Sequence, residues 1–284
     1  MLTDRAALEA HRVRALGRMG RPGDGGAWFA HSDAVDELHE RLKDVNRTFT
    51  APAIVTGFPA LFGSLVPGAR VVADTDVLAL EPGAHDLVVH FMCLHWADDP
   101  VGQLVQCRRA LRPDGLLLAC CFGGESLGEL RAAMAQAEIE VAGGLSPRVA
   151  PMGEVRDLGA LLGRAGLALP VADVDTRTVR YGAFEGLVRD LRETGETNAL
   201  AARHRAAPPR ALFARAADIY REAFPDGDGL RATVQTVWLA GWAPAEGQQK
   251  PLRPGSAAMR LADALGTEEM RPGDPARPAA KETE

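Results

Sequence analysis

Residues 85–124 read HDLVVHFMCLHWADDPVGQLVQCRRALRPDGLLLACCFGG, and their order decides the fold. Asp86 to Phe91 has a continuous apolar centre, the pattern of a strand covered on both faces. Asp99 then stands as an N-cap, and Pro100 takes the first helical position, where a missing N–H costs nothing. Val101, Leu104, Val105 and Leu111 form the inner face of the helix that follows. Arg112 to Gly115 predicts a turn: Pro fixes φ, Asp bonds back to the backbone, and Gly permits positive φ. Leu116 to Phe122 is a second buried strand, ended by Gly123 and Gly124. Strand, helix, turn and strand in this order make a right-handed βαβ crossover.

The same alternation extends outward. Upstream, Thr3 to Gly17 reads as a short polar helix broken over Gly20 to Gly26. Ser32 to Arg47 reads as a second helix with Val35, Leu38, Leu42 and Val45 on one face and Ser32 or Asp33 as cap. Ala53 to Thr56 and Arg70 to Ala73 are short strands. Downstream, Ser126 and Glu129 have capping-box spacing for a helix that turns Leu127, Leu130, Met134 and Ala137 inward. Helices are predicted near Val155–Ala165 and Phe184–Glu193, and from Pro208 and Pro209 to Phe224. Strands are predicted near Leu167–Val174, Thr178–Tyr181 and Thr233–Trp242. The expected class is α/β, a doubly wound, mostly parallel sheet with an antiparallel edge and helical lid elements. Residues 1–50 form a helical segment, 51–266 the main domain, and 267–284 a tail rich in Pro, Gly and charge that reads as disordered.

Bulk properties set limits. The chain has 284 residues, 46% hydrophobic and 25% charged, with a net charge of −6. It can build a sizeable core without staples. It lacks the basic excess that neutralises phosphates, so a nucleic-acid partner is excluded as an expectation. No apolar run is long enough to span a bilayer, and no signal-peptide core precedes the first helix, so a cytoplasmic location is expected. Cys93, Cys107, Cys120 and Cys121 show no zinc-site spacing and read as buried small hydrophobes. No metal-ligand pattern is visible. The cluster Arg5, His11, Arg12, Arg14, Arg18 and Arg21 reads as a solvated helix face or, more sharply, as a docking arm.

Residues 85–124 resemble the fourth strand, following helix, L-x-P-x-G turn and fifth strand of the class I S-adenosylmethionine methyltransferases. A narrower resemblance rests on CFGGESLGELR (121–131), GGLSPRVAP (143–151), RDLRETGETNAL (189–200) and GWAPAEGQQKPLRPGSA (241–257). These look like the subgroup of methyltransferase-like respiratory complex I assembly factors. That resemblance implies S-adenosylmethionine as cofactor, a complex I subunit as partner and arginine hydroxylation as activity. The carboxyl methyltransferases of malonyl carrier protein share the same core more distantly.

The chain departs from the family at one edge. A cofactor loop of the family uses several glycines so that backbone N–H groups approach closely. Here the place reads IVTGFPALFG (54–63), with Gly57 alone, then Phe58 and Pro59. Only ten residues separate Asp76 from Asp86, too few for a strand and a crossover helix of at least about 10 to 12 residues. One βα unit is therefore lost or shrunken, and Arg70–Ala73 aligns with the family's third strand, which would put Asp74 at the adenine.

The resemblance implies cofactor contacts at Thr56, Gly57, Phe58, Asp74, Thr75, His90 and Phe91. His95 and Glu196 are the catalytic candidates: imidazole titrates near neutral pH, and a carboxylate can hold a guanidinium bidentately. Trp96, Asn198, Gln248, Gln249, Lys250 and Arg253 are the substrate-binding candidates, in loops at one sheet edge. The bland readings are a packed histidine for His90 and His95, and capping or surface solvation for the loop residues. Three functions compete: an assembly-factor-like enzyme that modifies arginine, a conventional methyltransferase, and a binding protein that keeps the fold without the cofactor.

Overall fold

In the computed structural model, described for residues 1–19, 26–248, 259–260, 262–263 and 266–267, the strands predicted around 85–124 lie side by side at the centre of a seven-stranded sheet. The parallel part contains β1 (Pro52–Thr56), β2 (Arg70–Ala73), β3 (His85–Phe91) and β4 (Leu111–Phe122). The antiparallel part contains β5 (Ala168–Tyr181), β6 (Pro225–Asp226) and β7 (Gly229–Trp242). The order is β2-β1-β3-β4-β7-β5, with β6 paired to β7. β1, β2, β3 and β4 pair in parallel, while β7 runs antiparallel to β4 and to β5. The α/β class with an antiparallel edge is as expected.

Alternate residues of the central strands enter different cores. Val55, Val88, Leu117 and Cys121 join one cluster, and Ile54, Val89, Leu118 and Cys120 another. This two-sided burial is why the strands read as unbroken apolar runs rather than alternating ones. Helices α4 (Pro100–Ala110) and α6 (Val155–Arg164) cover the first face, and α2 (Phe29–Asp44) the second. A third core joins α5 (Gly128–Ala142), α7 (Phe184–Glu193) and α8 (Arg210–Ala223). Helix α1 (Arg5–Leu16) is capped by Asp4. It lies with α2 in the same compact unit as the sheet, Met1–Ala245.

Several local expectations change. Ser126 and Glu129 do not form a capping box: α5 begins at Gly128 behind Leu127, which is left-handed with φ 56°. The Ser126 hydroxyl instead exchanges hydrogen bonds with the Gln235 backbone, and Glu129 accepts from the N–H and hydroxyl of Thr233. Both side chains clamp the helix start to β7. In the RPDG turn the positive φ falls on Asp114, at 62°, and not on Gly115. The two strands expected between 167 and 181 are one continuous strand paired along β7. Helix α2 starts at Phe29, so Ser32 is not its cap.

A doubly wound sheet runs 3-2-1-4-5-6, so the strand beside the first is the second. Because β2 pairs directly with β1, Arg70–Ala73 holds the second position and not the third. A unit is missing as expected, and it is the outermost one. Asp74 therefore stands at the tip of the second strand. The break expected at Gly20 to Gly26 and the tail beyond Thr267 fall almost wholly outside the described residues.

Candidate functional site

The carboxyl ends of β1, β2, β3 and β4 converge beneath α1 and α2, the place where open α/β sheets bind ligands. At β1, the Thr56 hydroxyl accepts the Phe58 N–H, and Pro59 opens a single helical turn, α3 (Pro59–Phe62). Phe58 is buried; its ring meets Trp28, His31 and Phe62 edge to face. At β2, both oxygens of Asp74 accept from Arg12, Nη1 to Oδ1 at 2.6 Å and Nη2 to Oδ2 at 2.9 Å. Arg5 approaches the same carboxylate at 3.5 Å and Asp76 at 3.3 Å.

Arg12 is thus not part of a solvated face. It is 5% exposed and its partner Asp74 is 4% exposed. Burial opposes its charge, yet the bonds to Asp74 more than offset this and hold the guanidinium above its usual pKa. Removing one partner would strand a buried charge at a cost of about 3–5 kcal/mol. The guanidinium also lies over the Phe58 ring, 5.7 Å from its centroid. A side chain added at Gly57 would overlap it.

Gly57 and Asp74 meet the Arg12 guanidinium. Thr75 faces away, its hydroxyl bonded to the Val77 carbonyl. Phe91 is core, its ring 4.9 Å from that of Phe62. His90 is also core: Nε2 pairs with Gln103 at 2.6 Å and Nδ1 with the Cys93 thiol at 3.5 Å. Burial holds His90 below its ordinary pKa. The apolar run of β3 continues to its end, and His90 and Phe91 pack inward.

Beside this edge opens a cavity of ≈ 480 Å³. Its floor includes Trp96, Phe122, His31 and Glu196; Leu130, Met134, Phe184 and Leu187 supply apolar wall. Glu196 meets the other catalytic candidate, His95. Its Oε2 accepts the Trp96 indole N–H at 2.8 Å and pairs with His95 Nε2 at 3.1 Å. Burial works to raise its pKa, but His95 prevails and holds the carboxyl below its ordinary value. Its Oε1 has no hydrogen bond among the described residues. Asn198 also lines the cavity, but its amide is spent on Pro147 and Leu200.

His31 is the residue that the sequence reading missed. It is 1% exposed, lines the cavity, and has no hydrogen-bond partner on either ring nitrogen among the described residues. It stacks on Phe62 with ring planes 3° apart. Burial pushes its pKa down to about 4, so it is a neutral imidazole at physiological pH. A signal existed: His31 shares a helical face with Ala30, Ala34 and Leu38. Arg12 likewise shares one with Leu8 and Ala15. Arg14, Arg18 and Arg192 lie among the lining residues as well. Gln249, Lys250 and Arg253 fall outside the described residues, and Gln248 belongs to the second compact unit, Glu246–Glu284. Among the described residues no cluster of three or more His, Cys, Asp or Glu could hold a metal ion.

Residues 35–119 match the family model described as Methyltransferase domain. The chain is 37% identical over 199 residues to the arginine-hydroxylase NDUFAF5, mitochondrial, of Danio rerio, covering 70% of this chain and 62% of that protein. The chain is thus similar to the class I methyltransferases and, among them, to the arginine-hydroxylase subgroup. The human protein of the same name is 38% identical over 199 residues, 70% of this chain and 57% of its own length. A malonyl-[acyl-carrier protein] O-methyltransferase of Xylella fastidiosa is 33% identical over 178 residues, 63% of this chain and 58% of its own. The chain thus spans less than two thirds of the length of these relatives. Among solved structures, the YcgJ protein of Bacillus subtilis aligns with TM-score 0.46 and 12% identity, over 73% of this chain and 98% of that one.

Proposed function

We propose that this chain is an enzyme of methyltransferase fold that modifies an arginine side chain of a protein partner, a respiratory complex I subunit, as an assembly-factor-like protein. The observation that carries the reading is the buried carboxylate of Glu196 in a cavity whose wall includes Leu130, Met134, Phe184 and Leu187. One of its oxygens is fixed by Trp96 and His95, and the other has no hydrogen bond among the described residues. A guanidinium entering the cavity supplies the N–H donors that this oxygen lacks, in a charge-assisted bond strengthened by burial. His31, whose ring nitrogens have no hydrogen-bond partner among the described residues, can accept a hydrogen bond from the bound side chain. The similarity to the arginine-hydroxylases of Danio rerio and human supports arginine as the target.

The methyltransferase family match supports S-adenosylmethionine as cofactor. The residues at its place fit a nucleoside: Asp74 offers a carboxylate at the tip of the second strand, where a ribose diol would donate to it, and Gly57 leaves its Cα bare. Both are engaged by Arg12. When bound, S-adenosylmethionine supplies an electrophilic methyl group. Thr56, Gly57 and Asp74 would hold it; Glu196, His95 and Trp96 would bind and orient the substrate.

Among the described residues no helix is long and apolar enough to cross a membrane. We place the protein in the cytoplasm, where free thiols such as its four cysteines persist. Mass spectrometry of the complex I subunits from a deletion strain tests the proposal. Loss of an arginine modification together with impaired assembly is the expected result. An unchanged modification pattern with normal assembly overturns it. One observation favours a second reading, a binding protein without cofactor: the nucleoside cradle is already filled by the chain's own Arg12.

A further inference from the structure

We infer that Arg12 is an internal ligand of the nucleoside cradle, a latch on helix α1 whose guanidinium must leave before a cofactor ribose can reach Asp74. The inference rests on the reading of this edge as a cofactor site, and it deepens that reading by naming what controls entry.

Three relationships support it. Both oxygens of Asp74 are occupied by one guanidinium in bidentate geometry. The same guanidinium fills the space over Gly57, the one position of the β1 loop where a ligand could approach bare backbone. Its remaining side is covered by the Phe58 ring. A planar cation with five donors is held where a ribose diol would offer two, so latch and ligand exclude one another.

The surroundings allow release. What obstructs the cradle is the far end of a long side chain rather than backbone. Helix α1 is meanwhile anchored elsewhere. The N–H groups of Leu2 and Thr3 donate to Asp98, the Thr3 hydroxyl donates to the Trp96 carbonyl, and Arg203 pairs with Asp4. Arg12 can therefore change rotamer while α1 stays docked. Arg5, already at Asp74 and Asp76, remains to balance the acidic tip when Arg12 leaves. The latch also joins the two sites. The Arg12 backbone packs on Gly195, whose φ is +78°, and Gly195 immediately precedes Glu196. Movement of Arg12 is thereby one peptide away from the cavity carboxylate.

A closed latch lowers apparent affinity in proportion to the closed fraction. The test measures S-adenosylhomocysteine binding by calorimetry on the full chain and on Arg12→Met, with melting curves to show that each is folded. Arg12→Gln is the milder second variant, since its shorter side chain stays polar but gives up the bidentate hold on Asp74. Folded variants are expected to bind roughly tenfold or more tightly than the wild type. In the wild type, phenylglyoxal labelling read by peptide mass spectrometry should find Arg12 protected alone and reactive under saturating S-adenosylhomocysteine. Folded variants that bind no better than the wild type overturn the latch, as does a saturated wild type with Arg12 still protected. Tighter binding by the variants, with unchanged arginines on complex I subunits in the deletion strain, would keep the latch and remove the proposed function.

Discussion

The indole N–H of Trp96 donates to the same oxygen of Glu196, at 2.8 Å, that His95 reaches from the neighbouring position. One carboxylate oxygen is thus committed to holding Glu196 in place, and substrate recognition falls to the other. Glu196→Gln preserves an acceptor for Trp96 and removes the charge. The variant should fold normally and bind an arginine-containing peptide about ten- to a hundredfold more weakly, the value of a charge-assisted bond of about 1.5–3 kcal/mol. Fluorescence anisotropy with a labelled peptide reads this. Equal binding by Glu196→Gln would remove Glu196 from the recognition role.

Protonation of His31 makes stability depend on acid. Its pKa is depressed to about 4 in the fold, mainly by burial, so between about pH 6.5 and 4 the unfolded chain takes up a proton that the native chain refuses. Stability is therefore full above about pH 6.5 and falls as the pH drops to about 4, by roughly 3 kcal/mol from this group. His90 and His11 are also held low by burial and add slope of the same sign. The carboxyl of Glu196 is held low, so its contribution is lost only further into acid. Urea unfolding at pH 7 and pH 5 should show a smaller loss in His31→Phe than in the wild type. Equal losses would mean that His31 is solvated or partnered in solution.

What the sequence revealed and what it hid divide along periodicity. The strands from Ala53 to Phe122 were legible because burial on both faces leaves an unbroken apolar run. Trp96, His95 and Glu196 were legible as chemistry, in a turn after β3 and a loop after α7. Arg12 and His31 were hidden because a charged or ring-nitrogen side chain on an apolar helical stripe looks like a fault in the pattern. Asp74 carried no sign of its partner, since the contact to Arg12 crosses 62 positions of chain. Local rules misplaced the Ser126–Glu129 pair for a related reason. The spacing suits a capping box, but a partner more than a hundred residues away competes for the same oxygens.

Thiol chemistry offers a direct check on the core. All four cysteines are buried and free, and burial pushes Cys107 and Cys121 up to about 12 and raises Cys93 and Cys120 as well. Thiolate is the reactive form, so the native protein should show no reaction with a thiol reagent at pH 8 over minutes, and four equivalents once unfolded. A fast native equivalent would place one of these four side chains at the surface.

The clamp between α5 and β7 predicts a stability effect opposite to that of a helix cap. Glu129 accepts both the hydroxyl of Thr233, at 2.6 Å, and its backbone N–H, at 3.1 Å, from a position that is 7% exposed. In Thr233→Val the shape is kept and the carboxylate loses its shorter bond. The loss should be about 1–3 kcal/mol, because a buried acceptor is left short of a donor. If Glu129 instead served a capping box with Ser126, Thr233→Val would be near neutral and Ser126→Ala would cost about 1 kcal/mol through α5 alone. Chemical unfolding of the two single variants and the double variant with Glu129→Gln separates these. A coupling between Thr233 and Glu129 of at least about 0.5 kcal/mol is expected for residues in contact. Additive losses would show that the clamp contributes nothing in solution.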